Sequence, residues 1–428
     1  MVQGAVDGVE SLMLGRVASL SIVAVALASA AVPTPESHFG HKIGADRKLL
    51  DWEKVVSYFN ALPKTSDRIV VKELGKSTEG RPFIAAWISS ADTIKNLDKY
   101  RDIQARLADP RKTNEAEAAQ LAKQGKSIVM ITCSIHATEI ASTASAVELA
   151  YKLLTEDTPK LRSILDNTIL ILVPSLNPDG VDIVTKWYRY TLGSQWEGTN
   201  PPELYHKYVG HDNNRDWYIF SQAETRLTVS QLHNVWHPQI VYDVHQQGAY
   251  ASRMFVPPWM DPIEPNIDPI IAQLCNMIGS GMAADLTSAG KKGVAINAMY
   301  DFWTPARHYQ AYHGGLRILS ESASAKLATP IVVKTPRTKP VVYQLSADPV
   351  TVGLSRDLVH PDNNATGVSS VITVSNSGVR QVDMVEVVVT IAHGASGDLD
   401  IRLVHGSTRS RLHPNHTCMG TCTAIDGF

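Results

Sequence analysis

Between Lys48 and about Ala328 the chain alternates short apolar runs with longer amphipathic stretches. The runs are Ile69 to Val71, Phe83 to Ile88, Ser127 to Cys133, Thr168 to Val173, Ile240 to Val244 and Leu316 to Leu319. Several are apolar at nearly every position, as strands covered on both faces should be. Asn114 to Gln124, Ala141 to Leu154 and Ala223 to Val235 have the spacing of helices, and Cys275 falls in another helical stretch. The alternation predicts an α/β fold with a mostly parallel or mixed sheet flanked by helices. Functional groups of such sheets collect at the C-terminal ends of the strands.

The pattern changes after about Pro330. Short runs at 371–374, 385–391 and 399–404 are separated by Ser-Asn-Ser-Gly and Gly-Ala-Ser-Gly turns, with almost no helical spacing. This predicts a small all-β sandwich over 348–428, joined by a linker at 331–347 to a main domain at 46–330. At the other end, the uncharged stretch Val17 to Ala30 follows Arg16 and closes on Ala28-Ser29-Ala30. It is short for a bilayer span and fits a signal peptide over 1–30, with Met13 as an alternative start and a buried helix as the other reading. A secreted or periplasmic protein is expected. No other stretch is apolar enough to cross a membrane, so no stable anchor is expected.

Composition narrows this only a little. The formal net charge is -2, from 40 basic and 42 acidic residues, with no long basic run. A nucleic-acid partner therefore has no electrostatic support. Four cysteines are too few for a disulfide framework. Cys133 and Cys275 read as buried thiols, and a local Cys418–Cys422 disulfide is left open.

The candidate chemistry sits at strand ends. His136 and Glu139, three apart, follow directly on the Ser127–Cys133 run; His245 ends the run Val241-Tyr-Asp-Val. If the two strands are neighbours, two imidazoles and a carboxylate meet, a donor set that suits Zn²⁺ and leaves a fourth position open. Asp243 or Asp212 is placed to orient an imidazole from behind. Gly315-Leu-Arg-Ile-Leu-Ser-Glu321 is a further strand ending in a carboxylate, where a general base for a metal-activated water would stand.

The ordered set of H-x-x-E at 136–139, N-P-D-G at 177–180, D-N-N-R at 212–215, D-V-H at 243–245 and S-E-S at 320–322 resembles the zinc metallocarboxypeptidases over about 46–328. That resemblance implies one Zn²⁺ per chain on His136, Glu139 and His245, the ligand set of carboxypeptidase A. It implies Glu321 as the catalytic base, Asn214 and Arg215 as the grip on a substrate's terminal carboxylate, and Asp212 as support for the first histidine. Arg189 is the candidate for holding the oxyanion, and Tyr300 for the mobile tyrosine, with Tyr309 and Tyr312 competing. Arg307 is open between the specificity pocket and the surface.

The tail, with Val385 to His393, Gly397-Asp-Leu399 and Gly406-Ser-Thr, resembles the P domain of proprotein convertases, a jelly-roll sandwich. It is shorter than such domains, so an incomplete sandwich is expected. The expected activity is hydrolysis of C-terminal peptide bonds in peptide or peptide-like substrates. A zinc-dependent deacylase or amidohydrolase on the same fold, or a catalytically silent binding protein, are the alternatives. Oligomeric state is not legible.

Overall fold

In Thr168–Val173, Ile169, Ile171 and Val173 point to one apolar layer while Leu170 and Leu172 point to another, all buried. A strand with both faces covered must be apolar at every position, because successive side chains alternate across the sheet. The computed structural model describes residues 31–203, 212–260, 264–299, 309–331, 401–405 and 408–413. Within them, ten strands lie in the main body: β1 (Ile69–Lys76), β2 (Pro82–Ile88), β3 (Ser127–Cys133), β4 (Thr168–Val173), β5 (Ile240–Gln247), β6 (Met254–Phe255), β7 (Trp259–Met260), β8 (Val294–Ala295), β9 (Ala298–Met299) and β10 (Leu316–Ala323).

Eight of these form one mixed sheet in the order β1-β2-β4-β3-β5-β10-β6-β8, and β7 pairs with β9. The centre, β4-β3-β5-β10, is parallel, while β1, β2 and β6 run antiparallel to their inner neighbours. The helices Trp52–Ala61, Ala141–Thr155 and Pro159–Asn167 cover one face through Trp52, Tyr58, Phe59, Val147 and Leu165. Tyr100, Ile103, Leu121, Leu232 and Trp236 cover the other. Each large apolar side chain so buried contributes roughly 1.5–3 kcal/mol of transfer free energy.

Several elements differ from expectation in extent. β5 and β10 continue past their apolar runs to Gln247 and Ala323, so His245 and Glu321 are still inside strands. The stretch 223–236 is helical throughout, but its turn at Val229–His233 is π-helical and buries His233. The core also reaches ahead of residue 46: the helix Pro35–Phe39 seats Phe39 against Tyr58. Among the described residues no helix is long and apolar enough to cross a membrane. The expected signal peptide, linker and most of the expected sandwich lie outside the described residues. Of the tail the structure describes one antiparallel pair, β11 (Ile401–His405) with β12 (Thr408–His413).

Candidate metal centre

β3 ends at Cys133, and the chain turns at Ser134, whose φ is 47°. Hydrogen bonds stitch this turn to the start of the next helix. Ser142 Oγ accepts from the Ser134 amide (2.9 Å) and donates to the Glu139 carbonyl (2.9 Å). Thr143 Oγ1 donates to Ser134 Oγ (2.8 Å). Asn177 holds the turn from the other side: its Oδ1 caps the helix Pro178–Thr191 through the Gly180 amide (2.9 Å), and its Nδ2 donates to the Ile135 carbonyl (3.2 Å). The loop carrying His136 and Glu139 is thereby pinned to two helices.

β5 lies beside β3 in parallel and delivers His245 to the same sheet end. There the two Glu139 carboxylate oxygens lie between the two rings, Oε1 at 2.7 Å from His136 Nδ1 and Oε2 at 3.0 Å from His245 Nδ1. The ring centroids are 5.0 Å apart. Each remaining ring nitrogen faces an aspartate. His245 Nε2 is 2.9 Å from Asp243 Oδ2. His136 Nε2 is 3.3 Å from Asp212 Oδ1, within ion-pair reach though not aligned as a hydrogen bond.

The electrostatics favour positive charge at this point. Burial alone would lower the His136 pKa, but Asp212 and Glu139 push it up to about 10. Burial likewise opposes charge on His245, and Asp243 with Glu139 pushes it up to about 9. Burial raises and His136 lowers the Asp212 carboxyl, with a net fall to about 2. Glu139 is lowered too, both imidazoles outweighing its burial. Among the described residues, His136, Glu139 and His245 are the group whose ligating atoms converge, all within 4.8 Å of one another. Two imidazoles whose outer nitrogens face carboxylates, and a third carboxylate between them, fit a zinc ion.

Glu321 stands in register with His245 on the adjacent parallel strand β10. Paired positions share a face, so both side chains leave the sheet on the same side, one strand spacing apart (about 4.8 Å). Asp212 caps the short 3₁₀ helix Asn213–Tyr218 by accepting from the Asn214 amide (2.8 Å). This anchors the Asn214-Arg215 pair beside His136. Asn214 is fully buried, and neither atom of its side-chain amide has a hydrogen-bond partner. It lines a small cavity together with His233, Asp243, Tyr309 and Arg317.

One described candidate is not brought to this cluster. Arg189 lies on the last turn of the helix Pro178–Thr191, where its guanidinium pairs with Asp51 (2.9 Å) and reaches the Leu49 carbonyl. Twelve residues of helix separate it from Asn177, about 18 Å along the axis. Tyr300 and Arg307 lie outside the described residues. Tyr309, described, packs on Trp217 and His233. Arg317 was not singled out from the sequence, yet its guanidinium contacts Asp243 directly. The available signal was a charge in the middle of the apolar run Leu-Arg-Ile-Leu, which needs a buried counter-charge.

A family model described as zinc carboxypeptidase matches residues 55–286, which include the three converging residues and the Asn214-Arg215 pair but not Glu321. No curated protein matches the chain. Among solved structures, it is similar to the carboxypeptidase A from Helicoverpa armigera at 16% identity, covering 68% of this chain and 67% of that one, with a TM-score of 0.43. It is also similar to a metallo-carboxypeptidase from Burkholderia cenocepacia at 15% identity, covering 66% of this chain and 63% of that one, with a TM-score of 0.44. With more than half of its length inside the family model, the chain belongs to the zinc carboxypeptidases, a family of metallopeptidases.

Proposed function

We propose that the chain removes C-terminal residues from peptides, with zinc held by His136, Glu139 and His245. The observation that carries this reading is the convergence of those three side chains beside Glu321, at the C-terminal end of parallel strands. Zinc, when bound, polarises the scissile carbonyl and acidifies the water beside it. Glu321 takes the proton from the attacking water and returns it to the leaving amine. Its place on a rigid strand supports this role, because a proton carrier must stay within hydrogen-bond reach of both partners. Asp212 and Asp243 hold the outer nitrogens of the two rings, which fixes the tautomer in which the inner nitrogens are free to ligate.

Asn214 and Arg215 grip the terminal carboxylate of the substrate. The unpartnered Asn214 amide supports this assignment, since a buried polar group without a partner is costly unless a ligand satisfies it. The ion pair with Asp51 gives Arg189 a structural task, and no oxyanion role is assigned to it. The N-terminal segment supports export from the cytoplasm as the setting.

A paired assay tests the reading. Zinc-loaded protein is offered one peptide with a free C-terminus and its amidated twin, and products are identified by mass spectrometry. Loss of a single residue from the free peptide alone is expected. Equal cleavage of both would point instead to an endopeptidase, and turnover only of acylated amino acids to a deacylase.

A further inference from the structure

Asp243 is one of the most deeply placed charges among the described residues, with 5% of its side chain exposed. It accepts from Thr132 Oγ1 (3.0 Å) on β3, from His245 Nε2 (2.9 Å) on its own strand, and from Arg317 on β10. Arg317 is itself 8% exposed and shares Asp243 Oδ2 with the histidine. Strand register makes this a rigid assembly. Thr132 and Leu319 are the direct neighbours of Asp243, and Arg317, two residues before Leu319, reaches it on the diagonal along the same face.

An imidazole that ligates a metal carries no charge of its own, so His245 cannot then offset Asp243. A buried carboxylate without a counter-charge is strongly destabilising. Arginine keeps its proton at any working pH and is suited to this permanent role. Among the residues lining the cavity beside Asp243, Arg317 is the one lysine or arginine.

We propose that Arg317 is a positioning residue for the metal centre: it offsets Asp243, so that Asp243 can hold the outer nitrogen of His245 while the inner nitrogen faces the metal. This rests on the zinc reading above, through His245. A chain of contacts then runs Arg317–Asp243–His245–Glu139–His136–Asp212 across the whole site.

The test is a double-mutant cycle on the full chain, using Arg317→Met, Asp243→Asn and the two combined. Two quantities are read: the zinc dissociation constant by chelator competition, and urea unfolding of the zinc-saturated protein. Arg317→Met is expected to weaken zinc roughly 10- to 100-fold and to lower the stability of the zinc-saturated protein. Adding Asp243→Asn is expected to restore most of the stability, because no uncompensated charge remains. Arg317→Lys should recover zinc affinity in part, since the charge returns without the planar fork. Parent-like zinc affinity in Arg317→Met, or a double variant no more stable than Arg317→Met, would overturn the proposal. If Arg317→Met fails to fold, a folded, zinc-binding double variant supports it and an unfolded one sinks it. A parent chain that takes up no zinc would instead refute the metal reading, and the positioning role with it.

Discussion

Glu321→Gln removes a charge while keeping shape and hydrogen-bond reach, so it separates catalysis from ligation. Zinc content measured by atomic absorption should stay at the parent level, while kcat falls by roughly 10²- to 10⁴-fold. Loss of zinc in this variant would make Glu321 a ligand or a structural group. His233 gives a pH-dependence away from the metal. Burial, opposed by a hydrogen bond to Gln310, lowers its pKa to about 4. A histidine held neutral in the fold binds its proton more readily when unfolded, so stability is present above about pH 6.5 and falls as pH drops toward 4. The expected loss is of order 3 kcal/mol in urea unfolding, and His233→Gln should remove that component. An unchanged pH profile in the variant would show that His233 is not the group responsible. The positions of His136, Glu139, His245 and Glu321 were legible in the sequence because each stands at, or shortly after, the point where an apolar run stops. Arg317 was not, because its partner Asp243 is far away in the chain, and only strand pairing brings them together.

Among the elements, the central parallel strands were the most readable, since burial on both faces forces continuous apolar runs. β3 and β4 match their expected limits. The helix Leu97–Leu107 went unread because it buries little beyond Tyr100, Ile103 and Gln104 in an otherwise charged segment. Antiparallel β1 shows why edges read poorly, with exposed and half-buried positions mixed along it and a bulge between Glu73 and Gly75. The N-P-D-G segment was visible as a motif, but its task becomes clear only from its contacts. Asn177 caps one helix and ties down the loop of His136, while Asp179 accepts from Ser77, Glu79 and Arg81. Asn177→Ala should therefore cost about 1–2 kcal/mol of stability and also weaken zinc binding. A stability loss with parent-like zinc affinity would confine Asn177 to the cap.

For the whole molecule, all the residues assigned to chemistry lie before residue 331, and the last described contacts of the body are at Thr329. Its hydroxyl meets Tyr188 (2.7 Å) and Glu197 (2.8 Å), and its amide pairs with Lys326. A chain ending at Ile331 keeps these bonds, whereas one ending at Ala328 loses them. The longer truncation should bind zinc and turn over peptide within a few-fold of the full chain. Correct folding without hydrolysis would mean that the tail contributes to the active site. The metal centre itself is best tested by anomalous diffraction at the zinc edge from crystals of the zinc-loaded protein. The expected result is one peak per chain, roughly 2.0–2.2 Å from His136 Nδ1, His245 Nδ1 and a Glu139 oxygen. A peak elsewhere, or none at full zinc loading, would contradict the assignment of this site.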